Sequence, residues 1–116
     1  MTPDLVTITV TAPDADWLAE FTRGLVTDRL VACGNVVAGV RSIYAWEGEV
    51  HDDAEALVLL HTRAALVDAV IARVRADHPY DEPQVLTLPV IGTSEGYAAW
   101  IVGATASESL TSPDEP

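Results

Sequence analysis

The sequence predicts an α+β fold in which helices cover one face of a four-stranded antiparallel sheet. Segments with alternating apolar residues indicate strands, and segments whose apolar residues recur every three or four positions indicate helices. The segments follow the order β-α-β-β-α-β, with one more helix at the end. Two βαβ units divided by a central hairpin are typical of such a sheet.

The first strand is predicted over residues 5–10, where β-branched residues alternate, and Pro13 ends it. Asp14 or Asp16 then caps the first helix. This helix is predicted to run towards Gly34. Its apolar residues recur at helical spacing: Trp17, Leu18, Phe21, Leu25 and Leu30.

The next two strands are predicted to form a long hairpin. The second strand covers residues 36–46, with Gly39 as a bulge or a point of close approach. Residues 47–49 are a turn signal, and the pair Asp52-Asp53 is a second one. The apolar run 56–60 is then a buried third strand.

The second half of the chain predicts helix, strand and helix. Thr62 is a candidate N-cap for the second helix, and Pro79 stops that helix. The fourth strand covers residues 85–88, and Thr93 or Ser94 caps a short third helix. The apolar stripe of the second helix is Leu66, Val67, Val70, Ile71 and Val74, and one side of the third helix carries Tyr97, Trp100 and Ile101.

This order of elements corresponds to the ferredoxin-like arrangement, with two helices on one face of the sheet. The other face has to be polar or be covered. The hairpin is too apolar to be fully exposed, since Leu57, Val58, Leu59 and Leu60 are consecutive. A monomer would leave an apolar patch and a long free strand edge, so we predict a homo-oligomer.

Composition limits the class of protein. The 116 residues predict one domain over residues 1–105, followed by an acidic, unfolded tail over residues 106–116. Eighteen acidic side chains face six basic ones, a net charge of −12, which disfavours nucleic acid and anionic membranes as partners. The single cysteine excludes an intrachain disulfide, and no signal-peptide pattern or 18-residue apolar stretch is present, which predicts a cytoplasmic protein.

Five motifs in order resemble those of the CutA divalent-cation tolerance family. The resemblance covers about residues 6–103. The motifs are Ala32-Cys33-Gly34-Asn35-Val36, the segment from Ser42 to Val50, Glu55 ahead of an apolar strand, His78-Pro79-Tyr80-Asp81-Glu82-Pro83, and Leu88-Pro89-Val90 followed by Tyr97 and Trp100.

The resemblance implies ferredoxin-like subunits in a tight trimer like the PII-type signalling trimers. It also implies a role in tolerance of copper and other divalent cations, whose mechanism the family name does not settle. We predict metal binding or signalling as the mechanism, and no enzymatic activity. Cys33 and His78 match the Cys and His that this family associates with metal. Two positions depart from the family pattern: His61 stands where Lys is common, and Gln84 where Glu is common.

The chemistry of these residues leaves alternatives open. Cys33 could bind a soft ion such as Cu(I), or it could be a small buried apolar residue. His78 could bind metal through a ring nitrogen, or it could hydrogen-bond the end of its helix. The acidic hairpin tip, Glu49 to Asp53, is expected to be solvated. We therefore expect any specific site for copper or another divalent cation to use Cys33 and His78.

Five aromatic residues could line an inter-subunit pocket for a small molecule or form the core of a subunit interface: Tyr44, Trp46, Tyr80, Tyr97 and Trp100. Motifs for phosphate loops, serine nucleophiles and zinc proteases are missing, and the adjacent Asp81 and Glu82 would diverge in extended backbone. The alternative to a metal-tolerance trimer is a PII-like small-molecule sensor trimer, or a protein-interaction module without specific metal binding. A small enzyme with an inter-subunit site is a third possibility.

Overall fold

The computed structural model describes residues 4–106. Four strands and three α-helices, with one 3-10 turn at Ala64–Leu66, make up this part of the chain. In order they are β1 (Leu5–Ala12), α1 (Ala15–Thr27), β2 (Cys33–Trp46), β3 (Glu49–Arg63), α2 (Val67–Asp77), β4 (Val85–Pro89) and α3 (Glu95–Ala104).

The four strands form one sheet in the order β2-β3-β1-β4, and every neighbouring pair is antiparallel. This confirms the ferredoxin-like arrangement. In β1 and β3, the residues Ile8, Val10, Val58 and Leu60 are fully buried beneath α1 and α2. Ile8 pairs with Leu60 and Val10 with Val58, so both strands present the same side to the helices.

Helix α1 lies close over the start of β2. Gly34 allows this approach, because an added Cβ would stand 2.6 Å from Thr22 Cγ2 and 2.9 Å from Leu60 Cδ2. The buried residues Leu18 and Leu25 of α1 contribute to the same core. Gly34, the residue that follows Cys33, is therefore held between α1 and the sheet.

Strands β2 and β3 form a hairpin of 14 and 15 residues joined at Glu47 and Gly48, both with positive φ. The bulge predicted at Gly39 is confirmed by its φ of 80° and by a register shift between Val37 and Val40. The second turn predicted at Asp52-Asp53 is wrong. Both residues lie in β3, because pairing with β2 continues through them and outweighs their local turn preference.

The N-cap predicted at Thr62 is also wrong. Thr62 lies inside β3, is fully buried, and donates its hydroxyl to the carbonyl of Leu30 at 2.7 Å. A β-branched side chain suits a strand, and its hydroxyl satisfies a carbonyl that water does not reach. Helix α2 begins after the 3-10 turn and has no side-chain cap.

Helix α1 ends at Thr27, before the predicted Leu30. Arg29 adopts a φ of 61°, which reverses the chain and returns Leu30 to the core, where its N–H donates to Leu25 O at 2.9 Å. Strand β2 consequently begins at Cys33, three residues ahead of the prediction. The caps at Asp14 and Ser94 are confirmed: Asp14 accepts from Asp16 N and Ser94 from Tyr97 N.

The face of the sheet opposite α1 and α2, called here the open face, is only partly covered. Helix α3 packs Ala98 and Ile101 against Leu5 and Ala32 at one end of it. Leu86 and Leu88 of β4 remain 55% and 49% exposed. Between residues 4 and 106, no helix has the length and apolar character needed to cross a membrane. The predicted tail lies outside the described residues, apart from Ala106.

Candidate functional site

Cys33, His61 and Tyr97 form a triangle of side chains at the α3 end of the open face. Cys33 is the first residue of β2 and pairs directly with His61 of β3. Its Sγ lies 3.4 Å from His61 Nδ1 and 3.3 Å from Tyr97 Oη. Tyr97 Oη lies 2.9 Å from the same His61 nitrogen. We call this group the thiol–imidazole triangle.

The phenol of Tyr97 is held in its protonated form. The hydrogen bond with Cys33, followed by burial, raises the pKa of Tyr97 to about 12. Cys33 and His61 are half-buried, so the thiol and the imidazole are shielded from solvent without being closed off from it. Near neutral pH the triangle therefore contains a phenol O–H, a sulfur and a ring nitrogen as neighbours.

The triangle has the chemistry and spacing of a partial metal site. A sulfur and a nitrogen bound tetrahedrally to one ion, at about 2.3 and 2.05 Å, stand about 3.5 Å apart. The observed separation of Cys33 Sγ and His61 Nδ1 is 3.4 Å. Sulfur and imidazole suit soft and borderline ions, copper among them. Among residues 4–106, no group of three or more His, Cys, Asp or Glu side chains could hold a metal ion, so Cys33 and His61 would form only part of a coordination shell.

His78 stands elsewhere and is engaged in structural hydrogen bonds. Its Nε2 lies 2.7 Å from the carbonyl of Thr11, and its Nδ1 accepts the N–H of Tyr80 at 3.0 Å. The ring is buried and packs edge-on against Trp17. Since Nε2 donates to the Thr11 carbonyl and Nδ1 accepts from Tyr80, both ring nitrogens have partners outside α2, and neither bonds a carbonyl at the end of that helix.

Within one chain the structure does not bring Cys33 and His78 together. The partner of Cys33, His61, pairs with Thr7 of β1, whereas His78 binds Thr11 of the same strand. Four residues along a strand span about 13 Å.

A cleft of about 570 Å³ opens at the other end of the open face. The hairpin forms one wall, the segment between α2 and β4 forms the other, and Thr11 lies between them. The lining residues are Thr11, Ser42, Ile43, Tyr44, Trp46, Glu55, Tyr80, Asp81, Glu82 and Gln84.

The five aromatic residues that the sequence grouped together fall into two sets. Tyr44, Trp46 and Tyr80 line the cleft. Tyr97 and Trp100 stack on each other, 5.5 Å between centroids, beside the thiol–imidazole triangle. All five remain between 39% and 55% exposed in the single chain.

Two hydrogen bonds fix the tyrosines of the cleft. Tyr80 Oη donates to Glu55 Oε2 at 2.9 Å, and Tyr44 Oη donates to Asp53. Burial, followed by the bond to Glu55, raises the pKa of Tyr80 to about 12. The bond to Asp53 raises the pKa of Tyr44. Both phenols therefore stay neutral hydrogen-bond donors to carboxylates across the physiological range.

The acidic hairpin tip offers no convergent ligand set. Asp52 forms an exposed ion pair with Arg41 at 2.6 Å, and His51 stacks on Tyr44 at 5.2 Å. Glu49 and Asp53 are exposed.

The sequence analysis did not place His61 beside Cys33 and noted it only as a departure from a family pattern. A signal for it was present in the chain. Counting outward from the turn at Gly48, with one extra residue at Gly39, pairs Cys33 with His61. The register of a hairpin therefore identifies the partner of Cys33, whereas the motif around His78 does not.

The fold and the site define a class of protein: a ferredoxin-like domain with a long hairpin, carrying candidate binding sites on the open face of its sheet. A sequence profile of the family described as "CutA1 divalent ion tolerance protein" matches residues 6–104. The chain belongs to this CutA1 family.

Individual relatives agree with that membership. "Protein CutA, chloroplastic" of Arabidopsis thaliana is 36% identical over 100 residues, which are 86% of this chain and 55% of that protein. "Divalent-cation tolerance protein CutA" of Thermus thermophilus is 36% identical over 94 residues, 81% of this chain and 91% of that protein. The crystal structure of CutA1 from Oryza sativa superimposes with a TM-score of 0.88 at 36% identity, covering 91% of this chain and 97% of that one. The chain spans little more than half the length of the plant relative from Arabidopsis.

Tyr80→Phe is expected to make stability less sensitive to high pH. The folded-state pKa of Tyr80 is about 12, above its ordinary value of 10.0, so its contribution is fully present below pH 10.0 and is lost as the pH rises through about 12. The sequence has no lysine, and Tyr44 and Tyr97, whose pKa values are also raised, are present in both the parent and the variant, so the difference between the two proteins reports Tyr80. Urea unfolding at about pH 9 and about pH 11.5 should show a larger loss of unfolding free energy in the parent than in the variant. Equal losses would show that burial and the bond to Glu55 do not raise the pKa of Tyr80 in the folded state.

Proposed function

We propose that this chain forms a cytoplasmic homotrimer that contributes to divalent-cation tolerance by binding copper at the thiol–imidazole triangle. The single observation that carries the proposal is the 3.4 Å separation of Cys33 Sγ and His61 Nδ1 on paired strands. Family membership gives the biological setting, and the donor atoms give the chemistry.

The donor set favours copper over hard cations. Thiolates select Cu(I), imidazole suits copper and zinc, and copper lies at the maximum of the general affinity order for divalent ions. Hard cations need several oxygen ligands around one ion, and no such group of carboxylates occurs within residues 4–106. Binding would require the Cys33 thiolate, so copper uptake should release a proton and strengthen as the pH rises.

The same pair favours binding over nucleophilic catalysis. A catalytic Cys–His pair requires a base that a third group orients and a substrate space beside it. Here the His61 nitrogen that faces the thiol also faces Tyr97 Oη, and the large cleft lies at the other end of the hairpin. We therefore propose no enzymatic role.

The exposed apolar surface supports the trimer. Val37, Leu86 and Leu88 lie exposed on the open face, and Ile43 and Val50 of the hairpin are 67% and 78% exposed. In the described sheet β2 pairs only with β3, so a 14-residue strand edge is free for another chain. A surface of this kind marks an interaction site in a folded protein. The resemblance to PII-type trimers supports three copies as the assembly.

The copper proposal predicts one saturable Cu(I) site per chain. The affinity of this site is measured without oxygen by competition with a chromogenic Cu(I) chelator. Sodium sulfate sets the ionic strength at about 1 M, where the Debye length is about 3 Å, so that binding by diffuse acidic charge is screened. Cys33→Ser should lose the site, because the sulfur is its soft ligand. His61→Gln should weaken binding by more than about tenfold.

Two controls separate the triangle from the alternatives. His78→Gln and the double variant Asp52→Asn/Asp53→Asn should keep the parent affinity, with circular dichroism verifying that both fold. Loss of the site in His78→Gln together with its retention in His61→Gln would overturn the assignment. Loss on neutralising the hairpin tip would show that the copper is held by diffuse acidic charge.

The trimer proposal predicts a mass of about three times 12.4 kDa by light scattering at low micromolar concentration. Trp46→Ala should lower both the melting temperature and the trimer fraction, since truncating a buried aromatic residue costs about 3 to 5 kcal/mol. Glu20→Ala is the control, because Glu20 is an exposed polar residue on α1, on the helix-covered face and away from the apolar surface, and should change neither. A monomeric parent would contradict the trimer, and an unaffected Trp46→Ala trimer would place Trp46 outside the interface.

A further inference from the structure

The cleft between the hairpin and residues 79–84 has no part in the copper proposal. Its volume of about 570 Å³ falls within the range of about 300 to 1,000 Å³ typical of small-molecule sites. Glu55 of the cleft and His61 of the triangle are six residues apart on β3, a distance of about 20 Å along a strand. The cleft is therefore a separate candidate site.

The charge of the cleft has one sign. Three carboxylates, those of Glu55, Asp81 and Glu82, line it, and no Arg or His is among its lining residues. The net charge of −12 adds to the negative potential. A negative cleft concentrates cations and repels anionic ligands such as nucleotides.

The aromatic residues of the cleft favour an organic cation. Tyr44, Trp46 and Tyr80 line it and are 42%, 55% and 42% exposed. The two tyrosine hydroxyls are already bonded to Asp53 and Glu55, which holds the rings in place. Ammonium and guanidinium groups bind to aromatic faces, and cages of such residues recognise organic cations.

A bare metal ion fits the cleft poorly. Within residues 4–106, no three acidic side chains come close enough together to hold a metal ion. The carboxylates of the cleft are thus placed to meet separate parts of a larger ligand.

Two uncharged polar side chains also line the cleft. Thr11 is only 7% exposed, and its hydroxyl can accept a hydrogen bond from an N–H group. The neutral Gln84 side chain adds an amide oxygen as a second acceptor for N–H groups.

We propose that this cleft binds a small organic cation carrying ammonium or guanidinium groups, held by the rings of Tyr44, Trp46 and Tyr80 and by the carboxylates of Glu55, Asp81 and Glu82. The site does not depend on copper binding at the triangle.

Calorimetry on the whole protein tests the proposal with 1,4-diaminobutane as the probe. The matched ligand is 1,4-butanediol, which has the same chain with hydroxyls in place of ammonium groups. At about 0.15 M salt the diamine should bind saturably and the diol should not. The double variant Glu55→Gln/Glu82→Gln should bind the diamine about tenfold more weakly, since each charge contributes modestly at a partly exposed site. Tyr44→Leu should weaken it further by removing a cation–π face.

The control is the double variant Glu20→Gln/Asp68→Asn, which removes two charges from the exposed surfaces of α1 and α2, away from the cleft. It should bind the diamine like the parent. Equal weakening in the two double variants would show that the net charge alone attracts the diamine, and would overturn the site. Equal binding heats for the diamine and the diol would also overturn the proposed site. So would the absence of diamine binding because a neighbouring chain fills the cleft. Failure of copper binding would leave these outcomes unchanged.

Discussion

The backbone pairing of β2 with β3 places both candidate sites on the same face of the sheet. Cys33 and Tyr44 are eleven residues apart in the sequence, so in a regular strand they would point to opposite faces. The extra residue at the Gly39 bulge reverses the alternation between them. As a result Cys33 faces His61 at one end of the open face, and Tyr44 lines the cleft at the other. A one-residue change of register in part of β2 would turn its side chains to the other face of the sheet, and would remove either the contact of Cys33 with His61 or Tyr44 from the cleft.

The division of the sheet into a helix-covered face and an open face separates stability from binding. Residues such as Ile8 and Leu60 are completely buried beneath the helices and supply the core. On the other face Leu86 and Leu88 stay exposed. Any chain that covers these residues in an assembly also approaches the triangle and the cleft, so oligomerisation and binding should influence each other.

Local sequence patterns predicted the parts of the fold that local interactions determine. The caps at Asp14 and Ser94 and the bulge at Gly39 depend on neighbouring residues, and they are confirmed. The turn predicted at Asp52-Asp53 and the cap predicted at Thr62 are wrong, because pairing across the sheet and burial outweigh local preference there.

The candidate sites show the same limit. Cys33 could be recognised from its residue type, but its partner could not, since the pairing with His61 depends on a register set by a distant turn and a bulge. His78 belongs to a recognisable motif, yet its two ring nitrogens serve the backbone at Thr11 and Tyr80. The residue type of Cys33 thus indicated a candidate soft metal ligand. Only the register of the β2–β3 hairpin indicated that His61 lies beside it.

X-ray absorption at the copper edge of the Cu(I)-loaded protein tests the central claim, the pairing of Cys33 with His61, most directly. The account predicts sulfur and imidazole in the first shell of the parent. The imidazole signal should disappear in His61→Gln while the sulfur stays, and both should persist in His78→Gln. An imidazole signal that survives in His61→Gln and disappears in His78→Gln would contradict the account, as would a first shell without sulfur.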